Sequence, residues 1–162
     1  MLLATTFGLG YMRPASGTWG SMPPVVMAGL LWLAGFGPQE APIIYHGALA
    51  VVFVVFCAAC VFGGDEAERK WGKDPSNVVA DETAGQCIAL IALPLAGFWE
   101  STATLALAFV AFRIFDILKL WPADGLQKIR GGWGILLDDL VAGIQALIVV
   151  QLIVRLAVPM LF

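Results

Sequence analysis

The sequence predicts an all-α fold, a polytopic bundle of about five short helices that cross a membrane or lie embedded in it. Of the 162 residues, 60% are hydrophobic and 13% are charged, and the mean hydropathy is +0.87. A soluble domain is typically about 45–50% apolar and about 25% charged. The excess fits a chain surrounded by lipid. Helices of about 20 residues leave room for one domain, so residues 1–162 are predicted to form a single integral-membrane domain.

Five apolar runs mark the predicted helices in chain order. They cover residues 23–36, 43–62, 83–97, 102–120 and 140–162. Only the second and fifth reach the ~20 residues that cross ~30 Å of hydrocarbon at a rise of about 1.5 Å per residue. Ser21 is the predicted N-cap of the first helix, with Pro23 in its first turn, and Pro94 interrupts the third run. The shorter runs can cross where the bilayer thins or where neighbouring helices cover their ends.

The basic residues predict the orientation of the helices. Six of the nine cations lie before the first run or in alternate loops: Arg13, Arg69, Lys70, Lys73, Lys128 and Arg130. By the positive-inside rule, the N-terminus and the second and fourth loops lie in the cytoplasm, and the C-terminus lies outside. Arg155, inside the last run, breaks the pattern and is expected to snorkel outward or to pair within the bundle.

Charge and cysteine usage exclude several classes of function. The formal net charge of -3 argues against a nucleic-acid partner. Cys57 and Cys60 form a C-x-x-C pair, but no second pair completes a zinc site, so they and Cys87 are interpreted as small apolar residues. We expect no removable signal peptide, because the N-terminus has no clean basic region or cleavage site. The sequence does not define the oligomeric state.

Acidic residues are predicted to gather at one face of the membrane. Asp81 and Glu82 open the third run, Asp116 lies near the cytoplasmic end of the fourth, and Asp138 and Asp139 open the fifth. Carboxylates near hydrocarbon are costly unless they are paired or bind a metal. Taken singly, Asp81 and Asp138 can be N-caps, with Glu82 and Asp139 in a first turn that favours anions. Taken together, the five are more typical of a ligand set for a hard divalent cation such as Mg²⁺.

Two cations accompany the acidic set on the fourth run. Arg113, Asp116 and Lys119 follow one another at a spacing of three residues, which places neighbours on roughly one helix face. They form either a structural ladder of ion pairs or a site in which Asp116 binds metal while Arg113 and Lys119 hold phosphate. Arginine suits that role because its planar guanidinium binds two phosphate oxygens at once. His46 lies on the opposite side, which argues against histidine-based phosphoryl chemistry.

Two glycine-rich segments, 14–21 and 131–134, are predicted to lie on the same side as the acids. Glycine lets backbone N–H groups approach an anion closely, and a helix N-terminus attracts phosphate. Gly17, Thr18 and Ser21 are therefore candidates to line a phosphate pocket. A plain flexible loop is the alternative for each segment.

Four blocks of this sequence resemble the phosphatidylglycerophosphatase A family, in the family's order and over about residues 8–143. They are GTWGS at 17–21, DPSNVVADETAG at 74–85, FRIFDILK at 112–119 followed by Trp121 and Pro122, and GGWGILLDDLVAG at 131–143. Leu120 departs from a proline found in some members, with little expected consequence.

The resemblance implies a Mg²⁺-dependent phosphoric monoester hydrolase of the bacterial inner membrane, multi-pass, with its active site facing the cytoplasm. It would convert phosphatidylglycerophosphate, held in the bilayer, into phosphatidylglycerol and inorganic phosphate. The family's acidic residues map onto Asp81, Glu82, Asp116, Asp138 and Asp139, and its basic residues onto Arg113 and Lys119. All of these except Asp138 are predicted to be catalytic, and the five acids are the predicted metal ligands.

Two other functions remain as alternatives. A small ion- or proton-coupled transporter would also carry intramembrane charges, but its polar groups belong near the bilayer midplane with access from both sides. Another lipid-phosphate enzyme, such as a CDP-alcohol phosphotransferase, also uses an aspartate-rich metal site. Its aspartates follow one long motif, whereas the acids here come from three separated segments.

Overall fold

The computed structural model describes residues 1–73, 75–126, 129 and 131–157, and the regular structure within these ranges is helical throughout. Its helices are α1 (Ser16–Leu33), α2 (Pro42–Trp71), α3 (Ala80–Ala89), α4 (Phe98–Leu118), α5 (Ala123–Leu126) and α6 (Gly132–Leu152). A 3-10 turn at Leu9–Tyr11 precedes them, and a π-helical turn at Ile153–Ala157 continues α6. The predicted all-α class is confirmed. Lys128 and Arg130, which entered the orientation argument, and Asp74 of the family resemblance lie outside the described residues.

Three helices in the described part of the chain are long and apolar enough to cross a membrane. They are α2, α4 and α6 with its continuation to Leu156. Their outward faces carry large apolar side chains; Ile43 and Phe62 of α2, for example, are 88% and 86% exposed. Water would disfavour so much apolar surface, whereas lipid accommodates it. The protein is therefore associated with a membrane, while crossing by five segments stays a prediction.

The helices alternate in direction, so their ends meet at two opposite ends of the bundle. A Cβ atom added at Gly17, in the first turn of α1, would lie 2.9 Å from the guanidinium nitrogens of Arg113, near the end of α4. At the other end, the rings of Trp32 on α1 and Phe98 on α4 lie 6.4 Å apart. We call the end where α1, α3 and α6 begin the carboxylate end, because it carries Asp81 and Asp139.

Helix α3 lies in the middle of the bundle and contacts α1, α2, α4 and α6. Eight of its ten residues are buried, so it is enclosed by protein although it is too short to span a bilayer. A Cβ atom at Gly85 would lie 2.6 Å from the backbone oxygen of Asp139 and 2.7 Å from a ring carbon of Phe112. Glycine at this position lets α4 and α6 approach α3, which brings Asp139 beside the first turn of α3.

The chain leaves helical geometry at residues 90–97, where Pro94 cannot continue a helix. Backbone groups surrounded by apolar material need partners, and polar side chains of the neighbouring segments supply them. Tyr45 donates a hydrogen bond to the Leu90 oxygen at 3.2 Å, and Gln39 donates one to the Leu93 oxygen at 2.7 Å. Gln151 donates to the Ile91 oxygen and Arg155 to the Ala92 oxygen, each at 2.8 Å. Arg155 thus makes hydrogen bonds to neighbouring residues of the bundle while its side chain stays exposed.

The predicted start of the first helix is wrong. Helix α1 begins at Ser16, with Ala15 as its N-cap, so that Ser21 and Pro23 lie inside the helix. The glycines of this segment lower its helix propensity by about 1 kcal/mol each relative to alanine. Packing outweighs that preference, since Gly17 and Gly20 allow α1 to approach α3 closely.

The predicted start of the last helix is also wrong. Helix α6 begins at Gly132, capped by Gly131, eight residues before the apolar run. A Cβ atom at Gly132 would lie 2.7 Å from the Cα atom of Val61, and one at Gly64 would lie 2.7 Å from the backbone nitrogen of Gly132. Gly132 is therefore part of a close helix–helix contact, and residues 132–134 belong to a helix and not to a flexible loop.

Candidate active site

A polar cavity of about 390 Å³ opens at the carboxylate end. Helices α1, α3, α4 and α6 and the segments before α1 and α3 contribute to it. Its polar and charged lining residues are Arg13, Ser16, Ser76, Asp81, Glu82, Arg113, Asp116, Lys119 and Asp139, with Gly17 among the small ones. The structure thus brings acids from three separated segments into one space beside two cations of α4.

Three carboxylates in this cavity lie close enough to share one cation. Asp81, Glu82 and Asp139 each offer an oxygen atom, and the three oxygens lie within 4.8 Å of one another. Among the described residues, Asp81 Oδ1, Glu82 Oε2 and Asp139 Oδ2 are buried and make no hydrogen bond. A buried carboxylate oxygen without a partner is costly, and repulsion between the neighbouring acids adds to that cost. An all-oxygen set of this kind fits a hard divalent cation.

Burial also affects how easily these acids ionise. It raises the pKa of Asp81 well above its usual range, and the neighbouring charge of Glu82 adds to the effect. Burial likewise raises the pKa of Glu82 to about 7. Asp81 and Glu82 belong to α3, which is not one of the three helices long enough to cross a membrane. Since a bound cation favours the charged form of its ligands, it would offset this desolvation.

Arg113 is held at the edge of the carboxylate cluster by two partners. Its Nη1 atom lies 2.5 Å from Asp116 Oδ2 and donates a hydrogen bond to Ser21 Oγ at 3.4 Å. Its Nε atom is buried and makes no hydrogen bond within the described part of the chain. A guanidinium that is fixed on one side and keeps a donor unused is suited to bind an anion such as phosphate.

Lys119 and Asp138 form an ion pair next to the cavity. Lys119 is the C-cap of α4, in the left-handed conformation with φ 45°, and it lines the cavity. Asp138 is buried but does not belong to the group of three carboxylates described above. Through this ion pair, Asp138 can position Lys119. That role differs from the one predicted for Asp138, which was to bind the metal.

The capping alternative for the acids is wrong for Asp81 and Asp138. Val79 and Gly131 are the N-caps of α3 and α6, and neither makes a side-chain capping hydrogen bond. Asp81 and Glu82 lie in the first turn of α3, where a helix dipole does favour anions. Asp138 and Asp139 lie six and seven residues past the start of α6, so the dipole reading does not apply to them.

The three phosphate-pocket candidates of α1 are placed differently from one another. Gly17 lines the cavity. Ser21 is buried, donates its hydroxyl to the Gly17 oxygen at 2.8 Å, and accepts from Arg113, so it acts on the cavity through that arginine. Thr18 is half-buried and is not among the described residues that line the cavity.

Sequence reasoning missed three polar residues of the cavity rim. Arg13 donates to Ser76 Oγ at 3.2 Å, and Ser16 donates to the Ser76 backbone oxygen at 2.6 Å. These contacts tie the start of α1 to the loop before α3. The nearness of Arg13 to Gly17 in sequence was the available signal, but Arg13 served only to predict membrane orientation.

Replacing Gly17 by alanine should abolish most activity. The added Cβ atom would lie 2.9 Å from both terminal nitrogens of Arg113 and would press on Glu82, so both side chains must move. We expect at least a ~100-fold loss of kcat/KM, because displacement by about 1 Å can have that effect. Gly47, where a Cβ atom would meet nothing within 4 Å, is the matched control. Equal activities of the two alanine variants would contradict the proposed packing.

Comparisons with known proteins agree on one family. The family model described as phosphatidylglycerophosphatase A matches residues 2–154. A Bacteroides thetaiotaomicron protein named "Putative phosphatidylinositol-3-phosphatase" is 33% identical over 93% of this chain and 90% of its own. A Haemophilus influenzae protein named phosphatidylglycerophosphatase A is 35% identical over 92% of this chain and 85% of its own. An Escherichia coli protein of the same name is 33% identical over 88% of this chain and 76% of its own. No solved structure matches the chain.

Proposed function

Because the chain belongs to the phosphatidylglycerophosphatase A family and is a phosphoric monoester hydrolase, we propose that it converts phosphatidylglycerophosphate into phosphatidylglycerol and inorganic phosphate. The observation that carries the proposal is the cavity in which the carboxylates of Asp81, Glu82 and Asp139 lie beside the guanidinium of Arg113. An anion-binding group next to a cation-binding group is what a phosphate ester and its metal require.

We propose that Asp81, Glu82 and Asp139 hold Mg²⁺, with Asp116 adjoining them. Magnesium is usually bound by a few carboxylates together with water and phosphate oxygens, and these three carboxylates line a cavity of about 390 Å³. When bound, the ion supplies positive charge that neutralises the phosphate oxygens as charge develops on them.

The protein's own residues bind and orient the phosphate. Arg113 donates hydrogen bonds to the phosphate oxygens, while Asp116 and Ser21 fix its guanidinium. Lys119, positioned by Asp138, adds a second positive charge. Gly17 keeps the space between Glu82 and Arg113 open. In one route a carboxylate of the cavity accepts a proton from the water that attacks phosphorus, and the P–O bond to the lipid alcohol breaks. In the other route a carboxylate attacks phosphorus and displaces the lipid alcohol, and water then hydrolyses the acyl phosphate to release inorganic phosphate. Trapping of a phosphorylated protein distinguishes the two routes.

We propose a bacterial inner-membrane location with the carboxylate end facing the cytoplasm. The distribution of basic residues supports this orientation, and the two relatives named phosphatidylglycerophosphatase A come from bacteria. Cysteines can be introduced at two exposed residues near opposite ends of the bundle, at Glu40 in the loop before α2 and at Asp124 on the short helix α5. A membrane-impermeant thiol reagent should label only Glu40→Cys in intact spheroplasts. Labelling of Asp124→Cys from the outside would reverse the orientation.

The direct test is phosphate release by the purified protein from phosphatidylglycerophosphate in detergent micelles. Release should require Mg²⁺ and stop with EDTA. Phosphatidylinositol 3-phosphate belongs in the same assay, because the name of the Bacteroides relative points to it. A higher kcat/KM for that lipid would replace the proposed substrate but keep the reaction. Full activity in EDTA would refute the metal requirement.

A further inference from the structure

An apolar groove of about 390 Å³ runs between α1 and α4. On α1 it is lined by Met22, Val26 and Gly29, and on α4 by Thr102, Ala106 and Phe109. Gly29 and Ala106 are small, so the two helices leave a channel between them instead of filling it with side chains. The groove is lined almost wholly by apolar surface and lies within the part of α4 that is long and apolar enough to cross a membrane.

The groove lies on the side of α4 that also carries Arg113 of the polar cavity. Thr102, Ala106 and Phe109 precede Arg113 by eleven, seven and four residues, spacings that repeat on one face of an α-helix. The groove-lining face of α4 is therefore the face that carries Arg113. On α1, Met22 directly follows Ser21, whose hydroxyl accepts the hydrogen bond from Arg113. The groove thus begins about one helical turn below the candidate phosphate-binding guanidinium.

The distance from Arg113 to Thr102 of the groove suits a lipid tail. Eleven residues of α4 separate Arg113 from Thr102, which corresponds to about 16 Å at ~1.5 Å per residue. This is about half of the ~30 Å hydrocarbon thickness of a bilayer, the depth that one leaflet provides. A ligand with its phosphate at Arg113 would have its hydrocarbon part directed along the groove.

We propose that this groove binds one acyl chain of the lipid substrate and thereby sets the position of its phosphate in the cavity. The proposal deepens the proposed function and rests on it. Because the chain leaves lipid and not water, van der Waals packing against the groove holds it in place. The bound chain then fixes how far the headgroup reaches from the membrane toward Arg113 and the carboxylates. Small residues at positions 29 and 106 are then determinants of substrate binding.

Filling the groove tests the proposal. In Ala106→Trp the indole ring occupies the channel, and Gly29→Leu narrows it from the other wall. The matched control is Ala103→Trp, which changes another exposed alanine of the same helix that does not line the groove. We expect kcat/KM for dioleoyl phosphatidylglycerophosphate to fall at least about tenfold in both groove variants and to stay within about twofold in the control.

The deacylated headgroup, measured as a competitive inhibitor, separates chain binding from damage to the cavity. Its inhibition constant should be the same in wild type and in all three variants, because it has no chain to place. A parallel rise of that constant in the groove variants would overturn the proposal, as would equal activity of Ala106→Trp, Gly29→Leu and Ala103→Trp. A lower oligomeric mass in the groove variants alone would assign the groove to a second copy of the chain and also overturn it. If wild type releases no phosphate from the lipid, the proposed function itself fails.

Discussion

Replacing Asp139 by asparagine should lower kcat/KM for the lipid substrate by about 10³-fold, on the order of 4 kcal/mol of transition-state stabilisation. Asparagine keeps the shape of the side chain but removes one of the three negative charges that would hold the cation. The same result is expected for Asp81→Asn, since both carboxylates belong to one cluster. Because the buried anions repel one another, the melting temperature should stay the same or rise. Initial rates and thermal unfolding measure the two effects.

A surface aspartate provides the matched control for this substitution. Asp124 is exposed on α5 and does not line the cavity. Asp124→Asn should therefore keep wild-type activity. If Asp139→Asn and Asp81→Asn also retain it, the cluster has only a structural role, and the assignment of a metal site to it is wrong.

Replacing Arg113 by lysine should lower kcat by about 10²-fold while the protein still folds. Lysine preserves the positive charge that Asp116 requires, so no buried anion is left without a counter-charge. It cannot reproduce the planar guanidinium, which contacts Asp116 and Ser21 and still has a donor unused. Steady-state kinetics with the lipid substrate, together with circular dichroism, measure the outcome.

Arg155 offers a control of the same chemistry at the opposite end of the bundle. It also makes hydrogen bonds, to Gln151 and to the Ala92 backbone oxygen, but it lies far from the cavity. Arg155→Lys should leave kcat unchanged, or lower it slightly if the lost hydrogen bonds make the fold less stable. A full-rate Arg113→Lys enzyme would show that a general positive charge suffices and that guanidinium geometry plays no part.

The convergence of acids could be predicted because membrane topology restricts where a residue can lie. Once the apolar runs and basic loops fix alternating helix directions, residues near helix ends fall on one of two faces. Asp81 and Asp139 are far apart in sequence, yet the topology places them on the same face, and the structure brings them together. The pairing of Asp138 with Lys119 could not be foreseen, because it depends on the exact rotation of α4 against α6.

Helix boundaries were the weaker part of the prediction. The N-cap preference of serine, with Pro23 in the first turn, predicted a start at Ser21, and the limit of the apolar run predicted a start near Leu140. In the structure, Gly17 and Gly132 lie inside helices because the absence of a side chain lets neighbouring helices pack against them. The groove beside Ala106 likewise has no sequence signal, since its shape arises from the distance between two helices.

Binding of Mn²⁺, a spectroscopic substitute for Mg²⁺, tests most directly whether the three carboxylates form one cation site. Electron paramagnetic resonance of the purified protein should detect specific binding in wild type and at least ~100-fold weaker binding in Asp139→Asn, with wild-type affinity in Asp124→Asn. Mg²⁺ should compete with Mn²⁺ for the site in wild type. Equal Mn²⁺ affinities in wild type and Asp139→Asn would contradict the account.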